Sequence, residues 1–166
     1  MIIQKDNKIL RQKATSVNNP KSSEIKELIK NLAESMFKEP DGIGIAAPQI
    51  GVSLRVFLVA EEVLRMDKGL NDETKKEKNK KYIVFINPVF KKKSTKKSKD
   101  VEGCLSVRGF YGEVLRSEKL VVEYIDELGK KHERGVAGLF ARVLQHEMDH
   151  LDGTLFVDKA KNIKKL

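Results

Sequence analysis

The sequence has few of the residues that define several common classes of protein. Its 166 residues include one cysteine, four prolines and no tryptophan. A single cysteine excludes an internal disulfide and is typical of a reducing compartment. No segment approaches the roughly 18 apolar residues of a membrane-spanning helix, and the first residues contain no apolar run of signal-peptide length. We therefore expect a cytoplasmic protein without membrane contact.

The composition predicts a folded, basic protein. Hydrophobic residues make up 40% of the chain, which argues against global disorder, and the length suits one domain over residues 1–166. The formal net charge of +9 favours anionic partners, although this sign alone does not identify nucleic acid. The sequence contains no internal repeat, interdomain linker or aromatic-rich stretch typical of single-strand nucleic-acid binding.

Two of the three histidines lie one helical turn apart in the segment HEMDH, residues 146–150. The surrounding residues 138–153 have apolar side chains at helical spacing. Residues four apart share a helix face, so both imidazoles can bind one ion. Glu147, roughly 100° further round, can reach a metal-bound water without being a ligand. Asp149 is either an acceptor that fixes an imidazole tautomer or a solvated charge.

A catalytic metal site of this type needs a third protein ligand and one open position. The residues after His150 contain no histidine and no glutamate, so the third ligand is expected upstream. A lone cysteine is more often a buried, inert side chain. Beside two histidines, however, Cys104 is the best candidate, because the ion itself would deprotonate the thiol.

The remaining pattern predicts an α+β fold. Apolar residues at helical spacing indicate an N-terminal amphipathic helix over Ser23–Lys38. β-branched and aromatic residues predict three strands, Arg55–Ala60, Tyr82–Ile86 and Leu120–Ile125. We expect mostly antiparallel strands packed around a central metal-binding helix that carries the two histidines.

Two charged stretches interrupt this pattern. Residues Lys68–Lys81 are typical of a long solvated loop or an insertion, and Lys91–Lys99 is interpreted as the tip of a hairpin. The second run is either a solvated surface or a contact for a phosphate backbone.

The segment Asp41–Gly51 is rich in glycine and alanine. Gly42, Gly44 and Ala47 have dinucleotide-loop spacing, but they follow a predicted helix, and Pro48 interrupts the helix that such a loop requires. Taken alone, the segment predicts a tight turn in which Gln49 is an ordinary polar residue.

Three segments together resemble the signature motifs of the peptide deformylases. They are GIGIAAPQ at 42–49, EGCLS at 102–106 and QHEMDH at 145–150. Members of this family remove the formyl group from the N-terminal formylmethionine of new bacterial proteins. The resemblance covers nearly the whole chain, and the ordered set of three motifs is highly specific.

The resemblance implies a metal held by Cys104, His146 and His150, with Fe(II) as the native ion, one per chain, and zinc, nickel or cobalt as substitutes. A metal-bound hydroxide would attack the formyl carbon, with Glu147 as the general base and then the general acid. The ion would stabilise the developing oxyanion together with two further groups. These groups are the Leu105 backbone N–H and the Gln49 side chain.

The resemblance also implies where the substrate lies. An extended peptide would pair with the backbone near Ile43, Gly44 and Gly103. An apolar pocket for the methionine would include Leu139 and Val143. In a weaker correspondence, Glu102 and Arg116 would form a supporting ion pair.

Two arginines depart from the resemblance. Arg108 stands where the family usually has proline, so its loop is expected to be flexible or to meet peptide carbonyls. Arg142 is expected either to narrow the methionine pocket or to extend outward into solvent.

The expected partners are formylmethionyl nascent peptides, with ribosome contact through basic loops such as Lys91–Lys99, and the expected state is a monomer. Two other functions stay open at this point. One is a general HExxH metalloendopeptidase, and the other is a non-enzymatic basic module that binds ribosomal RNA.

Overall fold

The computed structural model describes residues 1–69 and 80–166. Most of the predicted loop Lys68–Lys81 therefore lies outside the described residues. The described residues form three α-helices and eight strands. The helices are α1 (Ser23–Lys38), α2 (Glu62–Met66) and α3 (Gly138–Leu151). The strands are β1 (Gly44–Ala46), β2 (Val56–Ala60), β3 (Tyr82–Lys93), β4 (Lys97–Glu102), β5 (Phe110–Ser117), β6 (Lys119–Ile125), β7 (Lys131–Ala137) and β8 (Lys161–Lys165).

The strands form two antiparallel sheets. The larger has the order β1-β2-β3-β6-β7, and the smaller has the order β4-β5-β8. The predicted α+β class with mostly antiparallel strands is confirmed. In the part of the chain that is described, no helix is both long and apolar enough to cross a bilayer.

Helix α1 covers one face of the larger sheet. It begins where the Ser22 hydroxyl accepts a hydrogen bond from the Ile25 N–H at 3.2 Å, a standard N-cap that satisfies a free amide. Its apolar stripe packs against alternate residues of β2, including Leu58. The other alternate residues of β2, Phe57 and Val59, face the core on the α3 side. Because both faces of β2 are covered, the strand is a continuous apolar run.

Helix α3 is anchored at both ends by residues distant in sequence. At its start, the Asp67 carboxylate accepts hydrogen bonds from the backbone N–H groups of Leu139 at 2.6 Å and Phe140 at 3.0 Å. These bonds replace a local cap, which Ala137 lacks. At its end, Arg55 donates to the Leu151 carbonyl at 3.1 Å. Both ends of the histidine-bearing helix are therefore held in place.

The basic run Lys91–Lys99 is not a hairpin tip, so that prediction is wrong. β3 pairs with β6, whereas β4 pairs with β5 in the other sheet, and the run crosses between them. β3 also extends well beyond the predicted end at Ile86. A register shift between Ile86 and Val89, with Asn87 at φ +49°, lets the strand continue past Pro88.

Candidate metal centre

Helix α3 and the loop after β4 bring three metal-ligating side chains together. Cys104, His146 and His150 place one ligand atom each within 4.8 Å of one another. The Cys104 sulfur lies 3.3 Å from His150 Nε2. The histidines meet because residues four apart share a helix face, and the cysteine joins them because β4 ends at Glu102, just before the loop.

Glu102 orients one of the two imidazoles. Its Oε1 lies 2.9 Å from His146 Nδ1, which leaves Nε2 free for a metal. Arg116 donates two hydrogen bonds to the same carboxylate, at 2.8 and 3.0 Å, so the expected ion pair is present. Although burial raises the pKa of Glu102, the bonds from Arg116 and His146 outweigh burial and hold it below its usual range. Glu102 therefore stays ionised and can accept the imidazole proton.

Asp149 does not contact either histidine, so its prediction as an imidazole partner is wrong. One of its oxygens accepts from Arg116 at 2.6 Å and the other from Lys159 at 2.9 Å. Nor is it merely a solvated charge, since its side chain is only 14% exposed. Asp149 instead holds the far side of the Arg116 guanidinium, which fixes Arg116 against Glu102.

Arg142 is buried and lines the pocket, so of its two predicted positions the outward one is wrong. It donates to Glu102 at 2.7 Å and to the backbone carbonyls of Val114 at 2.9 Å and Ser98 at 2.8 Å. These acceptors satisfy the guanidinium inside the protein, where an unpaired charge would be costly. Arg142 thus ties α3 to β4 and β5 and gives the Glu102 carboxylate a second buried arginine.

Glu147 is the buried carboxylate beside the cluster. It is 3% exposed, and its Oε2 has no hydrogen-bond partner among the described residues. Burial raises the pKa of Glu147 to about 7. A Cβ on Gly44 would lie 2.6 Å from Glu147 Oε1, so glycine at this position makes room for the carboxylate. This requirement was not foreseen, because Gly44 was expected to make room for substrate.

The two histidines have opposite electrostatic environments. Burial, with a smaller effect from His146, lowers the pKa of His150 well below its usual value, which favours the neutral form that binds metals. Burial also lowers the pKa of His146, but hydrogen bonds to Cys104 and Glu102 outweigh burial and raise it well above its usual value. His150 Nδ1 is buried without a partner among the described residues.

These donors fit a divalent transition metal. A sulfur and two imidazole nitrogens within 4.8 Å form a set that suits iron, zinc, nickel or cobalt. Among the described residues, the buried Glu147 Oε2 has no hydrogen-bond partner, and such an atom fits a site that receives a further polar group.

Gln49 and Leu105 supply hydrogen-bond donors near the Cys104 sulfur. The Gln49 Oε1 accepts from the Ala46 N–H at 2.8 Å, which directs the amide nitrogen toward Ser106 Oγ at 3.1 Å and the sulfur at 3.8 Å. Gln49 is buried, so its interpretation as an ordinary polar residue is wrong. Within the described residues, no hydrogen bond occupies the Leu105 N–H.

A pocket of about 260 Å³ opens beside the cluster. This volume is near the low end of ligand sites, roughly 300–1,000 Å³, and suits a short stretch of peptide. The lining includes every residue predicted for the site except His150, which is buried. These residues are Ile43, Gly44, Gln49, Gly103, Cys104, Leu105, Leu139, Val143, His146 and Glu147.

Comparison with known proteins assigns the chain to a family. The sequence model of the family described as polypeptide deformylase matches residues 1–166. The chain belongs to the polypeptide deformylase family. It is 41% identical over 165 residues to the peptide deformylase of Pelotomaculum thermopropionicum, covering 99% of this chain and 94% of that protein. The predicted enzyme class, peptide deformylase, is confirmed.

Solved deformylase structures have the same fold. The crystal structure of the peptide deformylase from Thermotoga maritima superposes with a TM-score of 0.82 at 30% identity, covering 97% of both chains. That from Synechococcus elongatus, in complex with actinonin, gives 0.81 at 33% identity, covering 98% of this chain and 79% of the other. The deformylase family implies a catalytic metal, and the cysteine–histidine cluster of this chain is where it would bind.

Sequence reasoning missed part of the deformylase pocket. The unpredicted lining residues are Asp41, Val101, Val107, Gly109, Phe110 and Tyr111. Gly103 also has a role beyond the one expected, because a Cβ there would lie 2.7 Å from the Tyr111 ring. The residues of β5, FYGEVLRS, do not alternate between apolar and polar, so the local sequence held no signal for the exposed position of Tyr111.

Proposed function

We propose that this deformylase hydrolyses the formyl group of N-terminal formylmethionine on newly made polypeptides and releases formate. The observation that carries the proposal is the buried Glu147 carboxylate, one oxygen of which has no hydrogen-bond partner among the described residues, beside a cysteine–histidine cluster at a peptide-sized pocket. The reaction would take place in the cytoplasm, in one catalytic domain spanning residues 1–166.

Cys104, His146 and His150 would hold the metal, with Fe(II) as the native ion and zinc, nickel or cobalt as replacements. When bound, the ion supplies Lewis acidity, which lowers the pKa of a water molecule and polarises the formyl oxygen. Glu102, 2.9 Å from His146 Nδ1, would hold the ring in the tautomer whose Nε2 is free to bind the ion.

Glu147 would move the proton. Its carboxylate takes a proton from the attacking water and then delivers it to the departing amine of methionine. A pKa of about 7 suits both steps, because a group that must accept and donate works best near the operating pH. The absence of competing hydrogen bonds to Oε2 within the described residues leaves that oxygen free for the water.

The substrate would bind as an added strand. β1 and β4 are each the outermost strand of their sheet, and residues at both edges line the pocket. An extended peptide between them can pair with backbone groups near Ile43, Gly44 and Gly103. Such pairing does not depend on the identity of most substrate side chains. Leu139 and Val143 would line the pocket for the methionine side chain.

The Gln49 amide and the Leu105 N–H would stabilise the negative charge on the formyl oxygen. We expect Gln49→Leu to lower kcat roughly 10²- to 10³-fold, because one preorganised donor is lost at the developing charge. The metal content per chain should not change, because Gln49 is not among the ligands. The measurement is formate release beside metal analysis.

The matched control for Gln49→Leu is Ser106→Ala, which removes the hydroxyl next to the Gln49 amide but keeps that amide. We expect a loss of no more than roughly tenfold, the effect of one ordinary hydrogen bond. An unchanged rate in fully metallated Gln49→Leu would remove Gln49 from the mechanism.

The proposed function is tested by formate release from formyl-Met-Ala. The protein is purified without oxygen, since an Fe(II)–thiolate site is oxidation-prone, and loaded with Fe(II) or Ni(II). Formate from this peptide, with unformylated Met-Ala left intact, is the expected result. No formate from protein holding one metal per chain would refute the proposal. Casein cleavage would then support a metalloendopeptidase, and RNA binding by metal-free protein near physiological salt would support a basic RNA-binding module.

We also propose that the enzyme is a monomer that meets the ribosome through exposed lysines of Lys91–Lys99. We expect the double charge reversal Lys92→Glu, Lys97→Glu to reduce cosedimentation with ribosomes and to weaken its salt dependence. Formate release from a short peptide should be unchanged. A matched reversal of Lys26 and Lys30 on α1 should leave cosedimentation intact, and equal losses from both pairs would contradict the proposed surface.

A further inference from the structure

The pocket has a buried floor and an exposed mouth. Glu147 and Val143 are buried lining residues near the cluster, whereas Asp41, Arg108 and Tyr111 are exposed lining residues. A peptide whose formyl end reaches the floor must leave through the mouth. Side chains at the mouth are therefore placed to meet the residues that follow the methionine.

An ion pair joins the two walls at this mouth. Arg108 lies in the loop between β4 and β5, and its Nη2 forms an ion pair with Glu39 Oε1 at 2.8 Å. Glu39 is the C-cap residue of α1 and leads into the wall that contains Ile43 and Gly44. The pair therefore holds the guanidinium of a lining residue next to the segment that enters the other wall.

The backbone residues on both sides of Arg108 form hydrogen bonds. Val107 is buried, and its N–H donates to the Cys104 carbonyl at 3.0 Å. On the other side, the Gly109 carbonyl accepts from the Leu166 N–H at 2.8 Å. Arg108 therefore extends from a backbone fixed at both neighbouring residues.

The guanidinium keeps donors available for a ligand. Within the described residues, the guanidinium has one ion-pair contact, from Nη2 to Glu39. The Arg108 side chain is 53% exposed and that of Glu39 is 21% exposed, so the cation is the more accessible partner. Asp41 is an exposed carboxylate that also lines the pocket.

We propose that Arg108, positioned by Glu39, is a specificity-determining residue that favours acidic over basic side chains in the residues after the formylmethionine. This inference rests on the proposed function. An acidic side chain gains a hydrogen-bonded guanidinium partner at the mouth, whereas a lysine meets a like charge there. Exposed ion pairs are weak, so the expected preference is modest, roughly two- to fivefold in kcat/KM.

The test uses the metal-loaded enzyme and two series of peptides, formyl-Met-Xaa-Ala-amide and formyl-Met-Ala-Xaa-amide, with Xaa as Glu, Gln or Lys. We expect Glu to exceed Lys in at least one series, with Gln between them, and added salt to shrink the ratio. Equal rates for the three peptides in both series would overturn the inference. Formate from none of them would instead overturn the proposed function.

Two variants distinguish recognition of substrate charge by Arg108 from a purely structural role of the Arg108–Glu39 ion pair, called a clamp below. Arg108→Gln should lower the Glu-to-Lys ratio to one or below, because the carboxylates Glu39 and Asp41 remain, and Arg108→Lys should restore part of the ratio. Glu39→Gln should raise the ratio, because Arg108 keeps its charge and loses the anion that offsets it. If Arg108→Gln and Glu39→Gln change all three peptides by the same factor, the pair is a clamp and the inference is wrong. A Lys preference that disappears in Asp41→Asn would also overturn it.

Discussion

Glu147→Gln is expected to lower formate release roughly 10²- to 10⁴-fold while the metal stays bound. Glutamine keeps the shape of the buried side chain but cannot accept the proton of the attacking water. The ligands Cys104, His146 and His150 are untouched, so each chain should still hold one ion. The measurement is kcat on formyl-Met-Ala beside metal analysis, and a fully metallated variant with normal kcat would contradict the assigned role.

The same substitution should make the metal-free protein more stable at neutral pH. Burial raises the pKa of Glu147 from 4.5 to about 7, so the folded state binds a proton that the unfolded state has released. The unfolding free energy of the wild type therefore falls as pH rises from about 4.5 to about 7, by about 3 kcal/mol in total. Glutamine does not titrate, so the unfolding free energy of the variant does not fall in this way.

Urea unfolding of both metal-free proteins at pH 5 and pH 8 checks this expectation. The difference in unfolding free energy between Glu147→Gln and the wild type should be larger at pH 8 than at pH 5. An inactive variant that is at least as stable as the wild type cannot owe its inactivity to misfolding. A variant less stable than the wild type at pH 8 would show that Glu147 is not the costly buried charge described above.

Glu102→Ala is expected to lower the unfolding free energy by about 3–5 kcal/mol, the effect of breaking a buried ion pair from one side. Arg116 and Arg142 both donate to this carboxylate inside the protein, and the truncation leaves buried guanidinium groups short of an acceptor. His146 also loses the acceptor of its Nδ1 proton, so metal affinity should fall roughly 10- to 100-fold.

Urea unfolding and a metal titration measure the two effects. The matched control is Glu113→Ala, which removes a carboxylate that also has charged neighbours but is not buried, and should change stability by no more than about 0.5 kcal/mol. Because the pKa of Glu102 is lowered on folding, its contribution exists above about pH 4.5 and is lost as pH falls. The difference between the wild type and Glu102→Ala should therefore narrow in acid, and equal stability at pH 7 would contradict the buried network.

The sequence alone determined the features that depend on short-range periodicity. Four-residue spacing brought His146 and His150 onto one helix face, and the stripe in Ser23–Lys38 gave the first helix with the same bounds. Cys104 followed from the lack of any other suitable ligand after the motif. The two helix inferences used neighbouring residues in the chain, where geometry is nearly independent of the rest of the protein, whereas Cys104 was inferred from ligand chemistry.

Only the tertiary structure decided which distant groups meet. It placed Arg142 inside, on Glu102, and it capped α3 with the Asp67 carboxylate. It also paired Arg108 with Glu39 and made Lys91–Lys99 the connection between the two sheets. Whether a charged side chain is paired or solvated depends on the acceptors that strands far away in sequence supply. Which strands supply them depends on sheet pairing and on a bulge near Asn87, and neither is encoded in the local pattern of polar and apolar residues.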